Sequence, residues 1–133
     1  MNYPAPHIIQ FGQIGESAIG FISVAEKQIL PFAVKRVYWT YFTPDNVTRG
    51  RHAHKYTEQI LIAASGRIII TTEDLKKETR AFTLESPQFG LYIPPGVWHN
   101  MQYNHYSTQL TLASTEFDED DYIRDYEVFK NMQ

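Results

Sequence analysis

The sequence predicts an all-β fold, and two observations lead to that class. Residues that favour strands are abundant, since 133 residues include nine Tyr, eight Phe and two Trp together with many Val, Ile and Thr. Short apolar runs also follow one another along the chain, and turn-forming residues separate most of them. Short strands at such spacing are typical of a β-sandwich or a β-barrel.

Eight runs carry this pattern, and each is predicted as a strand because it is rich in β-branched or aromatic residues. They cover residues 7–11, 20–26, 34–42, 58–64, 67–72, 79–84, 90–94 and 107–114. Most of the breaks between them contain Pro, Gly or Asn, which interrupt strands and favour turns. These breaks include Pro31, residues 44–46, Gly66, residues 73–74, Pro87, residues 94–96 and Asn104.

Only the last part of the chain departs from the strand pattern. Residues 118–132, DEDDYIRDYEVFKNM, begin with four acidic residues, which suit the N-terminus of a helix. Tyr122, Ile123, Tyr126 and Phe129 then recur at helical spacing. The pattern predicts a short C-terminal helix that docks on the β core.

Length and composition predict one folded domain over residues 1–133. Hydrophobic residues make up 43% of the chain and charged residues 20%, which argues against disorder. A formal charge of −3 gives no general attraction to nucleic acid or to an anionic membrane. The lack of cysteine excludes disulfides, thiolate metal sites and cysteine nucleophiles. Because the sequence has neither a signal-peptide pattern nor about 18 consecutive apolar residues, a cytoplasmic location is expected.

The stretch RGRHAHKYTEQ, residues 49–59, places His52 and His54 one residue apart. In a strand, residues two apart point to the same side, so the two imidazoles share a face. Such a pair has three alternative interpretations. It binds a metal ion, it acts as a general acid–base pair, or it consists of two solvated histidines on an exposed strand.

A second motif lies downstream of this pair. Residues 92–101, YIPPGVWHNM, bring a third histidine, His99, after a Pro-Pro-Gly turn. Gly50, the histidine pair and Gly66, followed by this P-x-G-x-x-H pattern, resemble the two motifs of the cupin superfamily. The resemblance implies a single cupin-type jelly-roll β-barrel, with the histidines pointing into the barrel and lining a pocket.

The cupin motifs are incomplete in this chain. Gln59 stands where metal-binding cupins carry a glutamate, and position 88 is Gln rather than the glycine that opens the second motif. A neutral amide is a poorer ligand for a divalent cation than a carboxylate. We therefore predict no metal and no cofactor, while His52, His54 and His99 together remain an alternative zinc site.

A closer resemblance covers nearly the whole chain. Four segments are similar to the sugar-nucleotide 3,4-ketoisomerases, which act on dTDP-4-keto-6-deoxyglucose in the formation of 3-amino-3,6-dideoxy sugars for surface polysaccharides such as lipopolysaccharide O-antigen. The segments are LPFAVKRVYWTYFT (30–43), RGRHAHKYTEQILIAASG (49–66), GLYIPPGVWHNM (90–101) and ASTEFDEDDYIRDYEVF (113–129). The resemblance implies an isomerase that binds a dTDP-linked 4-keto-6-deoxy sugar.

The residues suit that chemistry. Moving a ketone from C4 to C3 requires a base that removes the C3 proton, an enediol intermediate and return of a proton at C4, and histidine is suited to this near neutral pH. By resemblance, His52 matches the catalytic base, His54 the histidine that assists proton transfer, and Tyr38 an active-site tyrosine. The alternative for Tyr38, in a chain with nine tyrosines, is simple packing in the barrel wall.

Substrate binding is expected to use cationic, aromatic and pocket-lining residues. Binding of the diphosphate requires cationic side chains, and the candidates are Arg36, Arg49, Arg51 and Lys55. The alternative for each is that it is a solvated residue at the end of a strand. Tyr92 or Trp98 is expected to stack on the thymine ring, unless both are core residues. Gln59 and His99 are expected to line the sugar pocket, although His99 also suits a scaffolding role.

Two rival functions stay open, namely a metal-dependent cupin (a dioxygenase or another sugar isomerase) and a non-catalytic cupin that only binds a sugar nucleotide. In ESAIGFISV, residues 16–24, Ile19 precedes Gly20 where the family usually carries an arginine.

The unpaired edges of β-sheets need protection from other chains. The resemblance implies a homodimer with exchanged strands, for which HIIQF (7–11) is a candidate.

Overall fold

Strand-forming runs pair into two five-stranded antiparallel sheets and one separate hairpin in the computed structural model, which describes residues 2–133. The strands are β1 His7–Gln10, β2 Gly12–Glu16, β3 Gly20–Val24, β4 Arg36–Tyr41, β5 Thr48–His54, β6 Gln59–Ser65, β7 Ile68–Glu73, β8 Thr79–Leu84, β9 Phe89–Ile93, β10 Trp98–Tyr103, β11 Thr108–Ala113 and β12 Tyr122–Ile123. A 3-10 turn spans Glu119–Asp121, and one helix, α1, spans Tyr126–Lys130.

The first sheet has the strand order β1-β9-β6-β11-β4, and the second has the order β12-β5-β10-β7-β8. The hairpin β2–β3 pairs only with itself over the part of the chain that the structure describes. The all-β class is confirmed, and every predicted run contains a strand. The sheets form a sandwich, since none of the strand pairings in residues 2–133 joins them into a closed barrel.

The main core lies between the sheets because alternate side chains of each strand point inward. It contains Leu61 and Leu91 from the first sheet and Ile68, Ile70 and Met101 from the second. The polar side chains of the site continue the same inner faces toward one end of the sandwich.

The outer face of the first sheet carries a second core. Ile60 and Tyr92, which alternate with the inner residues, pack there with Phe11 and Leu112. The segment that leads into β4 covers this cluster through Leu30 and Phe32. Sequence runs such as EQILIAA are apolar on both faces because both faces of β6 are buried.

The predicted short C-terminal helix is confirmed as α1, but it covers only Tyr126–Lys130 of residues 118–132. Tyr122 and Ile123 pair as a strand with His54 and Ala53, so the edge of β5 takes up the backbone groups that a helix would have satisfied. Two aspartate side chains cap the short helical segments on either side of this strand. Asp118 accepts a hydrogen bond from the backbone amide of Asp120, and Asp125 caps the N-terminus of α1. None of the helices described here has the length and apolar character of a membrane span.

Candidate active site

Three histidine rings meet at one end of the space between the sheets. His52 and His54 come from β5 and His99 from the neighbouring β10. The His52 ring centroid lies 5.0 Å from that of His54 and 4.6 Å from that of His99. His54 and His99 are 2% and 1% exposed. Both ring nitrogens of His52 are buried as well. His52 and His54 therefore point into the protein, which rules out two solvated histidines on an exposed strand.

A β-bulge in β5 sets which side chains face inward. His99 pairs with His52, but Asn100 pairs with Gly50 and Met101 with Arg49, so Arg51 is the extra residue. Both bulge residues have positive φ, 86° at Gly50 and 58° at Arg51. The bulge resets the alternation, and Arg49 consequently shares a face with His52 although the two are three positions apart.

Tyr38, Gln59 and Arg36 form a second polar group in the site. Gln59, which is buried, donates from Nε2 to the Tyr38 hydroxyl at 2.9 Å. The Arg36 guanidinium lies 5.3 Å from the centre of the Tyr38 ring and 5.7 Å from that of Phe117. The positive charge of Arg36 acts on both Tyr38 and His54, which ties this group to the histidines.

Several buried polar atoms of these residues have no hydrogen-bond partner among residues 2–133. They are Nε and Nη2 of Arg36, both ring nitrogens of His52, Nε2 of His54, Oε1 of Gln59 and Oγ1 of Thr72, a residue that pairs with His99 across β7 and β10. Buried polar atoms in proteins are nearly always hydrogen-bonded. Such a concentration of free donors and acceptors is the signature of a site that binds a polar ligand.

The histidines are neutral near pH 7. Burial, followed by the neighbouring His54, lowers the pKa of His52 to about 4. Burial also lowers the pKa of His54, and it holds the pKa of His99 well below its ordinary value with a further contribution from His52. Neutral imidazoles keep a lone pair available, as a base requires. Burial and then Tyr122 raise the pKa of Tyr38, which stays protonated and able to donate.

The C-terminal segment adds two residues that the sequence pattern did not single out. Asp121 is 1% exposed and accepts a 2.6 Å hydrogen bond from Nδ1 of His54. The Tyr122 ring lies 4.5 Å from the His54 ring and 5.1 Å from the His52 ring. Four consecutive acidic residues precede Tyr122, and nothing in their letters distinguishes Asp121 from the others; only the pairing of β12 with β5 does so.

Two residues predicted to bind substrate lie elsewhere. Tyr92 is fully buried on the outer face of the first sheet and donates its hydroxyl to Glu58. Trp98 precedes the inward-facing His99 and therefore points to the opposite side of β10, where it packs with Phe129. This placement contradicts the expected stacking of either ring on thymine.

The cationic candidates separate into two groups. Arg36 is half-buried among the site residues, and Arg49 is exposed on the face of β5 that carries His52. Arg51 and Lys55 are exposed, the first on the bulge and the second just beyond the end of β5. Among all the residues that the sequence predicted for the site, the structure brings six together. They are Arg36, Tyr38, His52, His54, Gln59 and His99.

Comparison with known proteins gives one consistent family. The family model FdtA, described as WxcM-like, C-terminal, matches residues 4–133. The TDP-4-oxo-6-deoxy-alpha-D-glucose-3,4-oxoisomerase of Aneurinibacillus thermoaerophilus is 39% identical over 126 residues, which cover 92% of this chain and 88% of that protein.

Comparison with solved structures gives the same family. QdtA, a sugar 3,4-ketoisomerase from Thermoanaerobacterium thermosaccharolyticum in complex with TDP, is 35% identical with a TM-score of 0.89, over 95% of this chain and 92% of that one. The TDP-quinovose 3,4-ketoisomerase WlaRB from Campylobacter jejuni is 35% identical with a TM-score of 0.88, over 95% and 97%. A dTDP-4-dehydrorhamnose 3,5-epimerase from Bacillus anthracis, 16% identical with a TM-score of 0.76 over 88% and 76%, shares the fold.

Proposed function

This chain belongs to the FdtA family of sugar 3,4-ketoisomerases, and from that premise we propose that it converts dTDP-4-keto-6-deoxyglucose to a dTDP-3-keto-6-deoxyhexose. The reaction is an isomerisation in which a ketone moves between neighbouring carbons of the sugar. One observation carries the proposal: two neutral, inward-facing imidazoles on one strand lie 5.0 Å apart, centroid to centroid.

We assign the proton transfers to this pair. His52, whose two ring nitrogens have no partner in the described chain, removes the C3 proton and returns a proton at C4. His54 assists by passing a proton within the enediol. The protonated Tyr38 hydroxyl stabilises the developing enolate oxygen by donating a hydrogen bond. Proton transfer by a positioned group supplies about 10²–10⁴-fold of rate.

Substrate binding follows from the free polar atoms. Arg36 offers to an anionic oxygen two buried nitrogen atoms that have no partner among residues 2–133, and Oε1 of Gln59, which also has none there, accepts from a sugar hydroxyl. His99 lines the sugar pocket. Arg49 is the best placed cation for the diphosphate because the bulge turns it toward the histidine face, with Arg51 and Lys55 as exposed candidates at the rim.

We further propose that the protein is a homodimer with exchanged strands. The edge strand β4 exposes Val37, Trp39 and Tyr41, and the hairpin β2–β3 exposes Ile14 and Phe21. An exposed apolar edge strand is a template for pairing with another chain. β1 pairs with β9 of its own chain, so the hairpin is the better candidate for exchange than HIIQF.

The cellular setting, which is cytoplasmic synthesis of a 3-amino sugar for lipopolysaccharide, stays a prediction.

The experiment is incubation of the protein with dTDP-4-keto-6-deoxyglucose in deuterated water, followed by proton NMR. We expect loss of the C3 proton signal and growth of a 3-keto product. Binding of the sugar nucleotide without exchange at C3 would favour a non-catalytic binding protein and contradict the proposal.

A second candidate, a metal-dependent enzyme, is favoured by one observation. His52, His54 and His99 place their nitrogen ligands within 4.8 Å of one another, which suits a three-histidine metal set. Against it, the position of the fourth ligand holds Gln59, whose amide already donates to Tyr38. Metal analysis of protein purified without chelators, with turnover measured before and after dialysis against EDTA, separates the two; we expect turnover to be unchanged.

A further inference from the structure

We propose that Asp121 is a positioning residue of the isomerase, which fixes the tautomer and orientation of His54 so that its Nε2 lone pair faces the substrate. This inference rests on the proposed function. It also gives the C-terminal segment a role in catalysis that its sequence does not suggest.

The Asp121 carboxylate is held from every side. Oδ2 accepts from Nδ1 of His54 at 2.6 Å and from the hydroxyl of Thr57, and Oδ1 accepts from the backbone amide of Tyr56 at 2.8 Å. Burial on its own raises the pKa of Asp121, but the hydrogen bonds from Thr57, Tyr56 and His54 outweigh it and bring the pKa below its ordinary value. The group is therefore an ionised carboxylate near pH 7.

An ionised carboxylate has no proton to donate, so Nδ1 of His54 must carry the hydrogen of this bond. In a neutral imidazole, the other nitrogen is then an acceptor. That nitrogen, Nε2, is buried and has no partner among residues 2–133. Asp121 thereby turns His54 into a proton acceptor toward the site, and the bond also fixes the plane of the ring.

Asp121 does not reach the substrate side itself, because His54 stands between them. The segment that carries it is anchored independently of the carboxylate. Ile123 and Phe129 pack with Trp98, and Tyr126 donates to Glu73 at 2.7 Å. The segment therefore has other contacts to hold it in place when the charge of Asp121 is removed.

The substitution Asp121→Asn makes a sharp test. The backbone amide of Tyr56 can only donate, so the oxygen of the new side chain stays at the Oδ1 position. The new NH₂ group then faces Nδ1 of His54, which must accept, and the hydrogen of the ring moves to Nε2. The wrong tautomer of a catalytic histidine costs about 10⁴-fold in the serine proteases. We expect kcat to fall by about 10²–10⁴-fold, with KM within about twofold.

Asp120→Asn is the matched control. Asp120 lies in the same turn, is exposed, and its side chain makes no hydrogen bond within the described chain. We expect wild-type kcat and KM for this variant. Wild-type kcat in Asp121→Asn, or an equal loss in Asp120→Asn, would overturn the inference.

A second measurement does not depend on turnover. Proton–nitrogen correlation spectra of the wild-type protein with ¹⁵N-labelled histidine report which ring nitrogen carries hydrogen, and His54→Gln assigns the signal. We expect the Nδ1–H tautomer for His54, and an Nε2–H tautomer in the wild type would overturn the inference. A wild-type protein that shows Nδ1–H at His54 but no exchange at C3 would refute the proposed function and leave the role of Asp121 as a ring-orienting group supported.

Discussion

The three histidines of the site gain their chemistry from their burial in the protein. His52 and His99 are ordinary histidines in sequence, and their lowered pKa values come first from burial between the sheets. A solvated pair on the same strand would be partly protonated near pH 6.5. Burial therefore keeps the imidazole lone pairs free, as a neighbouring positive charge does in other sites.

His52→Ala is expected to abolish measurable turnover, because it removes the proposed base, while the fold is retained. The measurement is deuterium exchange at C3 together with a thermal melt followed by circular dichroism. His105→Ala is the matched control, since His105 is an exposed histidine outside the site. Wild-type rates in His52→Ala would contradict the assignment of the base.

Tyr38→Phe is expected to lower kcat by about 10–10³-fold, since it deletes the proposed donor to the enolate oxygen. Steady-state kinetics of the purified variant measure the effect. The control is Tyr106→Phe, at a tyrosine that is 80% exposed. If both variants keep wild-type kcat, Tyr38 is a wall residue.

The sequence predicted which residues lie in the site better than it predicted which residues contact them. The H-x-H spacing was sufficient to predict that His52 and His54 share a face, because strand alternation alone puts them there. The same alternation excludes Trp98 from the pocket once the adjacent His99 is assigned to it. Asp121 was beyond prediction, because it contacts His54, 67 positions away, only through the pairing of β12 with β5.

The bulge in β5 sets the geometry of the site. Gly50 has a φ of 86°, and a Cβ added there would lie 2.8 Å from the backbone oxygen of His99. The positive φ favours glycine, and the close approach to the backbone of His99 leaves no room for a Cβ. The bulge therefore joins the two strands that supply all three histidines.

Gly50→Ala is expected to destabilise the fold by about 1–3 kcal/mol and to reduce turnover, because either the bulge or the β5–β10 pairing must shift. Chemical denaturation and the exchange assay measure the two effects. The wild-type protein is the reference for both measurements. Equal stability of Gly50→Ala and the wild type would show that the bulge tolerates a side chain.

Prediction of elements succeeded where strand-forming residues cluster along the chain. Runs such as RIIITT are rich in β-branched residues and form the expected strands. β10 lies inside the second histidine motif, where polar residues mask its alternation, and β12 is only two residues long. The segment 118–132 shows helical spacing, yet the open edge of β5 captures its middle as a strand, a tertiary effect that local pattern does not contain.

The buried histidines make the free energy of unfolding of the protein depend on pH. The pKa of His52 is about 4 in the folded protein and near 6.5 in an unfolded chain. Between these values the unfolded state binds more protons, so the free energy of unfolding falls as pH decreases from 6.5 to 4. One such histidine contributes a slope of up to about 1.4 kcal/mol per pH unit.

Urea unfolding of the wild type and of His52→Gln at several pH values between 4 and 7 checks this expectation. The variant is expected to lose less stability on acidification, with a shallower slope. Identical slopes would mean that His52 does not titrate differently on unfolding.

Trp39→Lys is expected to shift the protein from dimer toward monomer, because it places a charge on the exposed apolar face of β4. Light scattering after size-exclusion chromatography measures the mass. Tyr106→Lys, at an exposed aromatic residue outside β4, is expected to leave the dimer intact. A wild-type protein that elutes as a monomer would contradict the exchange proposal directly.

The two tryptophans of the chain sit in opposite surroundings, and this gives the molecule built-in optical reporters. Trp39 is 60% exposed, whereas Trp98 is 8% exposed beneath Phe129 and Ile123. Trp39→Phe would leave Trp98 as a single fluorophore with blue-shifted emission. A red shift of that emission would then follow release of the C-terminal segment from β10 in real time, without any label.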